Sequence, residues 1–168
     1  LVSRDEFANE LRAMVIRRAE AVTGAVGLYA ERELQKWGGV PNRLFREPPL
    51  KVRRAEGVGP QAVKPTKAYD PSVGSEGLVA QLITELCRQY PQKFINHPGP
   101  DQMRKLKVRA FFLVTDLVGS GKRAKTYLEA AWRVRSVRSW RSGRFLRFEV
   151  VAYAATPQGK KLVESHHC

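Results

Sequence analysis

One short segment of the chain combines the residue types that bind phosphate. Asp116 follows a continuous apolar run. The residues after it supply two glycines, a hydroxyl and two cations: Gly119, Ser120, Gly121, Lys122 and Arg123. A glycine-rich turn between a strand and a helix binds phosphate because its amides converge on an anion at the positive end of the helix. The segment therefore predicts a phosphate-binding loop, with a purely structural turn as the alternative.

This loop does not fit the P-loop of nucleotide-binding enzymes. The pattern GxxxxGK[ST], anchored on Gly121 and Lys122, requires glycine where Asp116 stands. It also requires serine or threonine where Arg123 stands. Because both positions fail, we do not expect a P-loop nucleotidase.

The elements that must position the loop alternate between helix and strand. A helix is expected over residues 78–86, followed by a short strand near Phe94. The apolar run over 108–114 is typical of a buried parallel strand, and a helix follows over 122–132. A strand over 145–154 and a helix beginning at Pro157 complete the pattern. This alternation predicts an α/β fold with a parallel sheet flanked by helices.

The N-terminal part of the chain predicts a separate arm. Ser3 and Glu6 form a capping box for a helix over 3–37, which Gly24 and Gly27 interrupt. A connector rich in proline and glycine follows, with a short strand over 50–53. We therefore divide the chain into a helical arm and connector at 1–65 and an α/β domain at 66–168. Because a helix is expected to run to the last residue, we expect this domain to be truncated at its C-terminal end.

The segment 111–123 resembles the phosphoribosyl pyrophosphate loop of type I phosphoribosyltransferases. That loop has four apolar residues, two acids, an apolar pair and a small Ser/Thr-Gly-x-Thr turn, and the resemblance covers about residues 66–168. It implies a phosphoribosyltransferase-like sheet in which Asp116 contacts the ribose as a catalytic residue and residues 119–123 hold the 5′-phosphate. It also implies Mg²⁺ bound with phosphoribosyl pyrophosphate or a nucleotide. The candidates that it implies for the pyrophosphate loop are Gly74, Ser75 and Glu76.

Two positions depart from the family pattern. Thr115 stands in place of the first acid and Arg123 in place of the terminal hydroxyl residue, so half of the ribose clamp is missing. The glycine loop, the 74–77 turn and the long N-terminal segment make the chain more similar to phosphoribosyltransferase-like proteins of bacterial conflict systems, including effectors of antiphage retrons. This resemblance implies RNA or RNA-linked single-stranded DNA as a partner. It also implies a reverse transcriptase or other defence-system proteins.

The net charge points independently to a polyanionic partner. The chain carries 30 Lys and Arg against 16 Asp and Glu, a net charge of +14, and residues 101–148 hold 13 basic and 3 acidic side chains. Arginines recur there at every third residue with a tryptophan between them: Arg135, Arg138, Trp140, Arg141, Arg144 and Arg147. We predict that this cluster contacts the phosphate backbone of nucleic acid, with a solvated basic face as the alternative.

Several other classes of protein are excluded. The longest apolar run is far shorter than the roughly 18 residues of a membrane span, and no signal-peptide pattern is present, so we expect a cytoplasmic protein without a membrane partner. The two cysteines form no CxxC pair, and His97, His166 and His167 lack a metal or triad pattern. We read His97 as a loop residue and the other two as the end of a helix.

These observations lead to one functional hypothesis and one alternative. The hypothesis is a phosphoribosyltransferase-like, nucleic-acid-associated effector of a bacterial antiphage system such as a retron. The alternative is a conventional salvage or regulatory phosphoribosyltransferase that acts on phosphoribosyl pyrophosphate. The degenerate acid pair leaves enzymatic activity open.

Overall fold

The computed structural model describes residues 3–49, 54–61 and 75–168. Its elements in chain order are α1 (Arg4–Glu20), β1 (Val26–Ala30), β2 (Lys36–Trp37), β3 (Val40–Pro41), α2 (Ser75–Gln89), β4 (Phe94–Asn96), α3 (Pro100–Lys105), β5 (Ala110–Val118), α4 (Lys122–Trp132), α5 (Arg135–Ser142), β6 (Arg147–Ala155) and α6 (Pro157–Glu164).

A four-stranded parallel sheet forms the centre of the molecule, in the order β4-β1-β5-β6. Strand β5 pairs with a neighbour on each side, and its first six residues, 110–115, are all buried. A continuous apolar run is what a parallel strand covered on both faces requires. The predicted α/β fold with a parallel sheet is therefore confirmed at this level.

Successive residues of the central strands face two different hydrophobic cores. Leu28 and Phe112 lie in the core that α1 and α2 cover. Tyr29 and Phe111 lie in the opposite core, where their rings stack with centroids 3.9 Å apart, beneath α3, α4 and α5. Because successive side chains of a strand point to opposite faces, each central strand packs against helices on both faces of the sheet.

The prediction of a helix over 3–37 is wrong beyond the first half of that range. Helix α1 keeps its capping box, with the Ser3 hydroxyl accepting from the Glu6 amide, but it ends at Glu20. Gly24, at a φ of +113°, then turns the chain into β1, which lies between β4 and β5. All five residues of β1 are buried, and burial between two strands overrides the helix-like spacing of the sequence. What was predicted as a helical arm therefore contributes the second strand of the central sheet.

The remaining elements differ from the predictions mainly at their ends. Strand β5 continues four residues past Val114, and α6 ends at Glu164 rather than at the last residue. Helices α3 and α5 were not predicted, and the strand predicted over 50–53 lies outside the described residues. Within the described ranges, no helix combines the length and apolar composition that a membrane crossing requires.

Candidate functional site

The carboxyl ends of β1 and β5 form the topological switch point of the sheet. From β1 the chain crosses through α2 to β4 on one side, and from β4 it crosses through α3 to β5 on the other side. In open α/β sheets, ligands bind in the crevice outside the strands at such a point. Glu31 follows β1 directly, while Thr115 and Asp116 lie near the end of β5, so three polar side chains occur at this position.

Two carboxylates and one hydroxyl meet there. Glu31 is 5% exposed, and its carboxylate accepts a hydrogen bond from the hydroxyl of Thr115. The same Thr115 Oγ1 lies 3.3 Å from Oδ1 of Asp116, which is partly exposed at this edge of the sheet. The Thr115 hydroxyl has one proton, which it donates to Glu31, and the oxygens of the three groups form a short polar chain from the buried Glu31 to the partly exposed Asp116.

The electrostatic environment of Glu31 favours its neutral form. Burial raises the pKa of Glu31 above its ordinary value, and the nearby carboxylates of Asp116 and Glu76 raise it further. The hydrogen bond from Thr115 and the charge of Arg123 oppose this shift without cancelling it. Carboxyl groups with a perturbed pKa are concentrated at functional sites, which makes Glu31 a candidate site residue.

The predicted phosphate loop lies beside this polar chain, at the start of α4. Gly121 has a φ of +73° and immediately precedes the first residue of the helix. The hydroxyl of Thr156 donates to the carbonyl of Gly119 at 2.6 Å, and the Ser120 hydroxyl lies 3.4 Å from the Lys122 amide. The loop therefore has a fixed backbone, with the side chains of Ser120 and Lys122 exposed at the N-terminus of an eleven-residue helix.

Gly121 also has a packing role that its sequence position did not reveal. A Cβ at Gly121 would lie 2.6 Å from the carbonyl oxygen of Gly159, in the first turn of α6. A Cβ at Gly159 would in turn lie 2.2 Å from the carbonyl oxygen of Gly119. The loop and α6 thus approach each other at a distance that only glycine permits.

Arg123, the last residue of the predicted phosphate loop, pairs with Glu76, one of the candidates for the pyrophosphate loop. The Arg123 guanidinium is 3.1 Å from Oε1 of Glu76 and 3.8 Å from Oε1 of Glu31, so carboxylates bind this cation. Ser75 and Glu76 form the first turn of α2, where Glu76 also interacts favourably with the helix dipole. Gly74 lies outside the described residues.

The arginine cluster lies at the opposite edge of the sheet, where β5 and β6 begin. Arg141, Arg144 and Arg147 line one cavity of about 640 Å³ together with Arg109, which the sequence analysis did not select. Arg135 and Arg138 are exposed on α5 and line neither this cavity nor its neighbour. A spacing of three residues rotates around a helix, so only part of the predicted cluster faces one groove.

Trp140 lies in an adjoining cavity of about 400 Å³. The guanidinium of Arg104 lies 5.7 Å from the centre of the Trp140 ring, and that of Arg109 lies 5.9 Å from the ring of Phe145. Both distances suit cation–π interactions. The amino edge of the sheet therefore combines cations with aromatic rings.

The structure shows the contacts that the three histidines make. His97 lies in the bend after β4, as expected of a loop residue, but it is buried, and its Nε2 accepts a hydrogen bond from the Ala30 amide of β1 at 2.9 Å. His166 and His167 lie with Glu129 in a group whose ligand atoms are within 4.8 Å of one another. His166 Nε2 is 3.1 Å from Oε2 of Glu129, a contact that a hydrogen bond explains.

Sequence reasoning missed Glu31 and Arg109. Glu31 directly follows a strand that the sequence analysis predicted as helix, and a polar residue after a buried strand was the available signal. Arg109 precedes β5, outside the three-residue repeat.

Comparison with known proteins finds no matching family model, no similar curated protein and no similar solved structure.

Proposed function

We propose that the carboxyl edge of the sheet binds a phosphorylated ribose. The observation that supports this function best is the adjacency of an anion-binding loop, 119–122, to the polar chain ending at Asp116. The loop amides and Lys122 attract the 5-phosphate. The carboxylate of Asp116 accepts hydrogen bonds from the sugar hydroxyls, because ionised carboxylates are strong acceptors.

Glu31 takes a supporting role in this proposal. The position of the first acid in the family pattern holds Thr115, and the buried carboxyl of Glu31 bonds to that threonine from the neighbouring strand. Glu31 positions the hydroxyl of Thr115 and adjusts the charge next to Asp116 without reaching the ligand itself. A second carboxyl group is thus available beside Asp116 although the family's pair of adjacent acids is absent.

Mg²⁺ is the metal that the family resemblance implies. Carboxylate oxygens together with substrate phosphates are the ligands that Mg²⁺ prefers, and Asp116 supplies such an oxygen next to the phosphate loop. Bound there, Mg²⁺ would neutralise part of the negative charge of phosphoribosyl pyrophosphate. The reaction class in this proposal is formation or cleavage of a bond at C1 of a ribose 5-phosphate, with positioning and charge stabilisation as the contributions of the protein.

We further propose that the protein is a nucleic-acid-associated component of a bacterial antiphage system such as a retron. The net charge of +14 and the cationic cavity at the amino edge support a nucleic-acid partner, RNA or RNA-linked single-stranded DNA. The alternative is a conventional salvage or regulatory phosphoribosyltransferase. Protein purified at low salt separates the two, because only the first should retain material that absorbs more strongly at 260 nm than at 280 nm.

Titration calorimetry with ribose 5-phosphate tests the ligand. The Ser120→Ala/Lys122→Ala variant should bind about tenfold more weakly than the wild type, because it loses one hydroxyl donor and one cation. Arg17→Ala is the control, since Arg17 is exposed on α1 at the other end of the molecule. Equal binding by the wild type and the double variant, or no binding by either, would contradict the proposal.

A further inference from the structure

We infer that single-stranded nucleic acid binds in the groove at the amino edge of the sheet, across the exposed ring of Phe145. The groove consists of the two adjoining cavities described above, which share Arg109, Phe145 and Leu146. The inference rests on the proposed association with nucleic acid. It goes beyond that association by naming the surface that binds and by specifying a single strand. It does not depend on ligand binding at the carboxyl edge.

The groove is positively charged with little internal compensation. Six cations line it: Arg104, Lys107, Arg109, Arg141, Arg144 and Arg147. Two of the six are paired with acids, Arg104 with Asp101 and Arg147 with Glu149. Within the part of the chain that the structure describes, the other four have no carboxylate at salt-bridge distance. Several uncompensated cations around one concave surface attract a polyanion.

A hydrogen-bonded turn after α5 presents an aromatic ring in the middle of these cations. Phe145 is 59% exposed. Its backbone is held by a hydrogen bond from its amide to the carbonyl of Trp140 at 2.8 Å. Gly143 precedes it, and a Cβ there would lie 2.7 Å from the Phe145 ring. Arg144, between them, has a φ of +59°. The exposed ring is therefore held in place by its own turn.

The combination of ring and cations favours a single strand over a duplex. An unpaired base can stack on Phe145 while the guanidinium of Arg109, 5.9 Å from the ring centre, approaches the backbone phosphate. The bases of a duplex are already stacked on one another, and their faces are inaccessible to the ring. Cavities of about 400 and 640 Å³ are each large enough for a nucleotide-sized group.

Two pairs of arginines on and beside α5 provide a matched comparison. Arg141→Ala/Arg144→Ala removes two charges from the groove, while Arg135→Ala/Arg138→Ala removes two exposed charges from the same segment outside it. The probes are a fluorescent 20-nucleotide single strand, as DNA and as RNA, and a 20-base-pair DNA duplex. Affinity is measured by fluorescence anisotropy over a range of salt concentrations.

The groove variant should bind the single strand about tenfold more weakly than the wild type at 0.1 M salt. Its log-log salt slope should be shallower by about 1.4, since each backbone contact to a single strand contributes about 0.7. The outer variant should keep the slope of the wild type. Equal slopes in the two variants would overturn the inference, and so would wild-type protein that does not bind the single strand.

Phe145 tests stacking separately from charge. Phe145→Leu keeps an apolar side chain and should weaken binding of the single strand about tenfold, while the weaker binding of the duplex should not change. Equal effects on both probes, or tighter binding of the duplex by the wild type, would contradict the choice of a single strand. Lys161→Ala removes an exposed cation of α6 that lines neither cavity, and it should leave oligonucleotide affinity within about twofold, because one surface charge outside the groove is largely screened. A larger loss would mean that the strand binds outside the groove and would overturn the assignment to the groove.

Discussion

The carboxyl group of Glu31 is hydrogen-bonded to the hydroxyl of Thr115 across the boundary between β1 and β5. The two strands run parallel, with Ala30 opposite Val114, so the next residue of each strand reaches the same edge of the sheet. The pairing of two neighbouring strands thus brings the buried carboxyl group of Glu31 next to Thr115 and Asp116, which follow each other in β5. Asp116 extends this arrangement toward solvent.

Glu31→Gln should stabilise the protein at neutral pH. Because the pKa of Glu31 is raised by burial, the ionised carboxylate destabilises the folded state, and stability is lost as pH rises through that pKa. Glutamine keeps an acceptor for Thr115 without the charge. We expect a thermal midpoint roughly 2–4 °C higher than that of the wild type at pH 7.5, which corresponds to about 1 kcal/mol.

The same comparison at pH 4 tests the cause. The difference in thermal midpoint between Glu31→Gln and the wild type should be smaller at pH 4, because Glu31 in the wild type is then largely neutral. Glu164→Gln is the control, since that side chain is 64% exposed on α6. A variant that is less stable than the wild type at pH 7.5 would show that the ion pair between Glu31 and Arg123 outweighs the cost of burial.

Gly121→Ala should destabilise the protein by about 1–3 kcal/mol. Gly121 has a positive φ, and a Cβ there would lie 2.6 Å from the Gly159 carbonyl oxygen. Gly119→Ala is the matched control in the same loop, because among the described residues no atom lies within 4 Å of a Cβ at Gly119. Chemical denaturation measures both variants. Equal effects would contradict the close packing of the loop against α6.

His97 should make the protein sensitive to mild acid. Burial, together with the charge of Arg32, lowers the pKa of His97 from 6.5 to about 4. The unfolded chain takes up this proton first, so stability is complete above about pH 6.5 and is lost as pH falls toward 4. Between pH 7 and pH 4.5 this group alone should lower the free energy of unfolding by about 2 kcal/mol.

His97→Gln provides the comparison, because an amide oxygen can still accept the hydrogen bond from Ala30 but does not titrate. Urea unfolding at pH 7 and pH 4.5 should show a smaller loss of stability in the variant than in the wild type. Parallel losses in the two proteins would assign the acid sensitivity to other groups.

Elements with strong local signals could be predicted from the sequence. The apolar run of β5, the glycines before α4 and the proline at the start of α6 each indicate one structure. The hydroxyl of Thr156 caps α6 by accepting from the Gly159 amide at 3.0 Å, next to that proline. The segment predicted as a loop, 119–123, therefore begins between a strand and a helix as expected, while its binding of phosphate stays a prediction.

Strand β1 could not be predicted because its signal is not local. Its five residues are too few to show a period, and the two neighbouring strands that bury them lie 60 or more residues further along the chain. Missing β1 also removed Glu31 from the candidate site, because its proximity to Thr115 follows only from the pairing of β1 with β5. The groove could not be predicted for the same reason. Arg109 and Arg141 line one cavity only because β5 and β6 are paired and begin at the same edge of the sheet.

The measurement that tests the account most directly compares ribose 5-phosphate with 2-deoxyribose 5-phosphate by titration calorimetry. Both carry the phosphate, and only the first carries the 2-hydroxyl that Asp116 is proposed to bind. A hydrogen bond to a charged group predicts that the wild type prefers ribose 5-phosphate by about tenfold or more, and that Asp116→Asn reduces this preference. Equal affinities for the two sugars in the wild type, or a preference that Asp116→Asn leaves unchanged, would contradict the assignment of the carboxyl edge to a phosphorylated ribose.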